Sequence, residues 1–239
     1  MTIKTTTHGK DHPYSNDFSK PGISKAYEQK FNSRIDQLRH LAEEKILAEF
    51  ATGRLLDCSV ATGRFVEKLP RVESYTGLDY SQEFLDFVSK KFPNHTFKKN
   101  DLLQGIALQD DSFETVICIR TLFALGRTSE IVGEMKRVAK RGGTLIFDYG
   151  NSRRSATVGA SKIDTSSEDI EKIIRDHSLT VIKKIQLDSI SAWVKKSKWL
   201  AAGDQIILRK AIPTTWLEKL EHWACRFSSD RTLYVVQVP

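Results

Sequence analysis

At 239 residues, with 40% apolar and 28% charged side chains, the chain has the composition of an ordinary globular protein rather than a disordered one. No apolar run reaches the roughly 18–20 residues that a membrane-spanning helix requires, which weighs against a helical membrane protein. The formal charge of +7 permits an anionic partner without demanding one.

Cys58, Cys118 and Cys225 are widely spaced, form no CxxC pair and have no metal-ligand spacing, so neither disulfides nor a metal site are expected. The opening segment, Met1 to His8, is polar and has no apolar core to serve as a secretion signal. The expectation is a cytoplasmic protein.

Residues 1 to about 20 read as a flexible arm. Over residues 24–50, Tyr27, Phe31, Ile35, Leu38, Leu41, Ile46 and Leu47 recur at helical spacing, which predicts two helices rather than one rod. Residues 1–50 are therefore expected to form an arm and helical cap on an α/β domain of residues 51–239. Residues 54–58 read as a buried strand ending near an acid, and a short helix is predicted from Phe65 to the stop at Pro70. Residues 75–79 form a second predicted strand. Ser81 is placed to cap a helix running to about Lys91, with Phe84, Leu85 and Val88 on one face.

A third strand is predicted at 95–99 and a fourth at 113–120, where the apolar run is nearly continuous, as in a strand covered on both faces. A helix over 129–140 is expected to stop at Gly142 and Gly143, ahead of a fifth strand at 144–149. Residues 150–167 read as loop. A helix at 167–177 and strands at 179–188 and 233–238 complete the pattern. An insertion at about 190–228 carries a helix over 213–227 with Trp216, Leu217, Leu220, Trp223 and Ala224 on one side. The alternation of strands and helices predicts a parallel, doubly wound sheet.

Asp57, Asp79 and Asp101 fall at the ends of successive predicted strands, so all three face one edge of the sheet. One such acid is often only a helix cap; three at one rim point to a ligand. Ligands in open parallel sheets bind outside the carboxyl ends of the strands, and an acid roughly 20 residues after the first turn reaches ribose hydroxyls. The run Cys58-Ser59-Val60-Ala61-Thr62-Gly63 is mostly small, which lets backbone approach a ligand closely.

From Leu55 to Asp148 this pattern resembles the class I S-adenosylmethionine-dependent methyltransferases. Leu55-Leu56-Asp57-Cys58-Ser59-Val60-Ala61-Thr62-Gly63 stands where that family has hydrophobic-Leu-Asp-x-Gly-x-Gly-x-Gly. The segment from Glu134 through Gly142 and Gly143 to Phe147 is similar to its helix, Gly-Gly turn and fifth strand. The resemblance implies a Rossmann-like seven-stranded, mostly parallel sheet with helices on both faces and the last strand antiparallel beside the fifth.

It also implies S-adenosylmethionine as cofactor. Asp57, Cys58, Ser59, Ala61 and Gly63 would hold the methionine part, Asp79 the ribose hydroxyls, Tyr80 the adenine face, Asp101 and Leu102 the adenine edge. Ile119 would lie near the sulfonium. Ser59 and Ala61 replace two family glycines, and a non-glycine residue is strained there if φ must be positive.

The Asn-Pro-Pro-Tyr signature of amino-group and nucleic-acid methylators is missing after the fourth strand, and no basic, aromatic RNA-binding stripe is evident. The expected acceptor is a small molecule, methylated on oxygen, with Tyr14, Tyr27, Arg120 and Trp216 as substrate-side candidates. The stretch 191–200 mixes aromatics with lysines and could touch a membrane surface. His12 and His177 are candidate bases, but no catalytic residue is assigned. The competing expectation, motivated by Ser59 and Ala61, is a degenerate binding or scaffold subunit.

Overall fold

The computed structural model describes residues 18, 20–30, 34–150, 156–158, 161–163, 167–188, 214–224 and 229–239. Tyr14, His12, Cys225 and the stretch 191–200 lie outside them.

The strands are β1 (Gly53–Asp57), β2 (Val72–Asp79), β3 (Thr96–Lys99), β4 (Phe113–Cys118), β5 (Ala139–Gly150), β6 (Ala156–Val158), β7 (Ser161–Ile163), β8 (Thr180–Leu187) and β9 (Arg231–Gln237). Seven of them form one sheet in the order β3-β2-β1-β4-β5-β9-β8, while β6 and β7 pair separately within the stretch expected to be loop. Strands β3, β2, β1, β4 and β5 run parallel. β9 lies antiparallel between β5 and β8, as the family resemblance requires.

Helices α1 (Ile23–Lys30) and α2 (Arg34–Phe50) precede the sheet, as the spacing of their apolar residues predicts. The others are α3 (Gln82–Lys91), α4 (Leu122–Leu125), α5 (Thr128–Val138), α6 (Ser167–Asp176) and α7 (Thr214–Ala224). No helix among the described residues is long and apolar enough to cross a membrane.

The side-chain alternation of the strands separates two apolar layers. Leu56, Val116, Cys118, Leu145, Phe147 and Tyr234 face one way, onto Ile131, Val132 and Met135 of α5 and Ile170 and Ile174 of α6. Leu55, Ile117, Ile146, Leu233 and Val235 face the other way, onto Ile46 and Leu47 of α2 and Leu85 and Val88 of α3. Covering both faces is why β4 and β9 read as continuous apolar runs. Each fully buried Leu or Ile contributes about 1.5–3 kcal/mol.

Two local expectations are corrected. The short helix from Phe65 is a run of turns over residues 61–68. Its hydrogen bonds close after three residues (Val66 N to Gly63 O and Lys68 N to Phe65 O, both 3.2 Å), and Gly63 and Glu67 have φ of +75° and +61°, which breaks an α-helical ladder. The Gly142-Gly143 pair does not stop α5 either. Ala139 ends α5 in extended conformation and starts β5 at once. Gly142, at φ +72°, lies within β5, where the register against β4 shifts between Phe113 and Thr115, and its N–H bonds Val238 O at 3.0 Å. Residues 102–104, unassigned from the sequence, form one 3-10 turn.

Candidate active site

Parallel strands deliver their carboxyl ends to one edge, and a pocket enclosing about 770 Å³, mouth included, opens there. Of the predicted cofactor residues, Cys58, Ser59, Ala61, Asp79, Tyr80, Leu102 and Ile119 line it, as do Tyr27 and Arg120 from the substrate-side candidates. Phe18, Arg64, Ser81, Phe84, Asn100, Thr121 and Leu125 complete the described lining.

Asp57, Gly63 and Asp101 stand behind the wall rather than on it. The buried Asp57 carboxylate accepts the Tyr75 hydroxyl at 2.6 Å and the Ser59 N–H at 3.0 Å, so it braces the turn from below. Burial raises its pKa, against the pull of those two hydrogen bonds and of Arg64. Asp101 caps the 3-10 turn by accepting Leu103 N–H at 2.9 Å. A side chain at Gly63 would come within 2.7 Å of Val88 Cγ2, so glycine is needed there for space as well as for φ.

The turn after β1 is drawn tight by Val60 N–H to Leu78 O and Cys58 N–H to Ile117 O, both 2.9 Å. Ala61 takes φ +45°, whereas Ser59 does not enter the left-handed region. The substitution of alanine for the family glycine therefore carries strain of about 1–2 kcal/mol at that residue. Asp79 helps hold it: one carboxylate oxygen accepts Ala61 N–H and the other accepts Ser81 N–H, each at 2.9 Å. Enclosure by the protein pushes the Asp79 carboxyl up to about 6, with the hydrogen bonds from Ser81 and Ala61 opposing. The residue as a whole is half-buried and lines the pocket.

The roof comes from the N-terminal segment. Ser24 donates its N–H and hydroxyl to the two Glu83 oxygens at 2.9 and 2.7 Å, and Lys91 pairs with Glu28, which docks α1 on α3. Phe18, Tyr27 and Phe84 then pack as an aromatic cluster with centroids 5.2–6.2 Å apart. Ser81 serves both sides, capping α3 through Phe84 N–H at 3.3 Å and donating to Phe18 O at 2.5 Å. Burial raises the Tyr27 phenol, against Arg64 and Arg120, so it stays protonated at neutral pH. Burial likewise raises the Cys58 and Cys118 thiols well above their ordinary range, so neither supplies a thiolate.

Behind the far wall sits a set of charges of which sequence reasoning named only Arg120 as a site residue. The fully buried Glu43 of α2 accepts Arg120 at 2.8 and 3.1 Å, Arg64 at 3.3 Å and Arg231 at 2.6 Å. Arg231 also pairs with Asp148 and, at 3.0 Å, with Asp188. Asp148 closes the ring by accepting Arg120 N–H at 2.5 Å. This fixes Arg120 at both ends in a left-handed conformation, φ +62°, that a non-glycine side chain rarely holds. Desolvation would raise the Glu43 carboxyl, but Arg231, Arg120 and Arg64 outweigh it and keep Glu43 ionised. Asp148 was visible as a strand-end acid; the signal for the rest was a charge ending an otherwise buried strand, as at Arg231 and Asp188.

His177 lies away from the pocket, against α5, with Nε2 3.1 Å from Ser129 Oγ. Trp216 is 67% exposed on α7 and does not line the pocket.

A parallel sheet with one inserted antiparallel strand, a small-residue turn after β1 and an acid at the end of β2 define a Rossmann-like nucleotide-cofactor fold. Residues 56–147 match a family model described as a methyltransferase domain. The phosphatidylethanolamine N-methyltransferase of Cereibacter sphaeroides is 23% identical over 142 residues, covering 57% of this chain and 68% of that protein. Among solved structures, a chain of the Haloferax volcanii complex between the Trm112 methyltransferase activator and a methyltransferase aligns with a TM-score of 0.63 at 17% identity, covering 98% of this chain and 100% of that one. The N-methyltransferase NodS of Bradyrhizobium japonicum WM9 aligns at 0.57 and 16% identity, covering 87% and 99%. These structural likenesses speak for the fold. The family match places a methyltransferase domain at residues 56–147, in keeping with the resemblance to the class I S-adenosylmethionine-dependent methyltransferases.

Proposed function

We propose that the pocket binds S-adenosylmethionine and that the enzyme methylates an oxygen atom of a small molecule. The observation that carries the reading is Asp79, a strand-end acid that lines the pocket beside a turn of small residues and accepts the Ala61 N–H. Asp79 would accept the ribose hydroxyls. Tyr80, Asn100 and Leu102 would surround the base, and Cys58, Ser59, Ala61 and Ile119 the methionine part. When bound, the cofactor supplies a methyl group on a positive sulfur, which leaves readily as the neutral thioether.

The chain's own contribution is then to position the acceptor and exclude water. The aromatic cluster of Phe18, Tyr27 and Phe84 supports a small acceptor, because three packed rings take up part of the pocket lining. Two features support oxygen. Arg64 and Arg120 favour an acceptor that is, or becomes, an oxyanion, and Tyr27, held protonated, can donate a hydrogen bond to it. Of the two candidate bases, His177 lies away from the pocket, and an acceptor acidic enough to lose its proton unaided would need no dedicated base.

We take residues 1–50 as the cap and 51–239, with an insertion at about 190–228, as the catalytic domain. Nucleic acid is not the acceptor in this reading. A passing contact with a membrane surface would fall on that insertion, where Trp216, Leu220 and Trp223 are exposed. A cytoplasmic site of action suits the free, buried Cys58 and Cys118.

Calorimetry with S-adenosylhomocysteine tests the cofactor half, and no binding up to millimolar concentration would remove it. Transfer of labelled methyl from S-adenosylmethionine to a panel of phenols, carboxylic acids, amines and thiols tests the other half. Label on oxygen is expected; label confined to nitrogen or sulfur overturns the oxygen assignment.

A further inference from the structure

The pocket presents an electrostatic problem. Two guanidiniums line it, Arg64 and Arg120, whereas S-adenosylmethionine brings a positive sulfonium. Like charges sharing one low-dielectric cavity repel strongly. Among the described lining residues the one anionic side chain is Asp79, and the reading above commits it to the ribose hydroxyls.

Glu43 answers this from behind the wall. It does not line the pocket, yet its carboxylate touches both pocket guanidiniums, Arg120 at 2.8 and 3.1 Å and Arg64 at 3.3 Å. Its third partner, Arg231, is shared with Asp148 and Asp188, so Glu43 is not that guanidinium's sole counter-charge. The Glu43 charge therefore serves the pair in the pocket as well as Arg231. Its field reaches the cavity wall: the hydroxyl of Tyr27, a lining residue, is acted on by Arg64, Arg120, Asp79 and Glu43 together.

We propose that Glu43 is an electrostatic positioning residue of the cofactor site, whose buried charge offsets Arg64 and Arg120 so that a sulfonium cation can bind beside them. The inference rests on the cofactor reading above.

S-adenosylmethionine and S-adenosylhomocysteine differ by one methyl group and one positive charge, so their affinity ratio isolates the charge. Each ligand is titrated calorimetrically into the full-length protein and into its Glu43→Gln and Arg64→Gln variants. Glu43→Gln is expected to weaken S-adenosylmethionine at least about tenfold more than S-adenosylhomocysteine, a difference equivalent to about 1.4 kcal/mol. Arg64→Gln, which removes one of the two positive charges that Glu43 offsets, is expected to move the ratio the opposite way. Equal losses for both ligands in Glu43→Gln would overturn the proposal, because a residue that only shapes the pocket cannot tell a sulfonium from a thioether. Should Glu43→Gln fail to fold, Arg64→Gln decides alone: a ratio that is unchanged or shifted toward S-adenosylhomocysteine overturns the proposal. Failure of the unmodified protein to bind either ligand would remove the cofactor reading itself, and is distinguishable because it appears before any variant is made.

Discussion

The two walls of the pocket are built by different means. The wall at β1 and β2 is local: Asp57 braces Ser59 two residues on, and Asp79 braces Ser81 two residues on. The wall at Arg120 is long-range, its guanidinium held by Glu43 from 77 positions away while Arg231 reaches Asp148 across 83. The first wall is shaped by backbone hydrogen bonds to carboxylates and would lose ligand affinity before stability. The second is a buried ionic ring and would lose stability first.

Breaking the ring should give the largest effect. Arg231→Met removes the cation shared by Glu43, Asp148 and Asp188, and breaking a buried ion pair on one side costs about 3–5 kcal/mol. A urea unfolding curve should show that loss; a loss under about 1 kcal/mol would mean that the ring is solvated in solution.

The local wall should respond to pH. Between the ordinary carboxyl value of 3.8 and about 6 in the native protein, Asp79 keeps a proton that the unfolded chain has lost. Its contribution to apo stability therefore falls as pH rises through that window. Ligand binding runs the other way, since ribose hydroxyls donate to the ionised carboxylate. Affinity for S-adenosylhomocysteine should be flat near pH 7–8 and fall below about pH 6, approaching about tenfold per unit for uptake of one proton. Asp79→Asn should remove that pH dependence; a pH profile that survives the substitution assigns the titration elsewhere.

The smallest effect belongs to Ala61→Gly. Relief of the strain at φ +45° is offset by about 0.4–1 kcal/mol of unfolded-chain entropy, so net stability should stay within about 1 kcal/mol. Affinity for S-adenosylhomocysteine should change by less than about threefold. A gain of tenfold or more would show that the native turn impairs the cofactor site and would favour a non-catalytic role.

The same contrast explains what the sequence disclosed. Asp79, Tyr80 and the Ser81 cap were legible because strand-end acids, small residues and caps work over two or three positions. The antiparallel placement of β9 was legible only through family resemblance, since periodicity finds a strand but not its neighbours. Glu43 was not legible. In α2 it is one charged residue among several, and only the fold reveals that it meets arginines from the β1 turn, the end of β4 and the start of β9. The turns at 61–68 were misread as helix because Phe65, Val66 and Leu69 have helical spacing. Their burial is real, but the left-handed residues Gly63 and Glu67 produce it without a helix.

Asp79 carries the cofactor assignment, and a calorimetric titration of S-adenosylhomocysteine into the unmodified protein and Asp79→Ala tests it most directly. Because Asp79 also accepts Ala61 and Ser81 N–H groups, truncation should cost some folding stability, so a lowered melting temperature alone decides nothing. Affinity decides. Loss of charge-assisted hydrogen bonds to the ribose should weaken binding at least about tenfold, equivalent to about 1.4 kcal/mol. A folded Asp79→Ala protein that binds S-adenosylhomocysteine as tightly as the unmodified one would contradict the assignment and reduce Asp79 to a brace for its own turn.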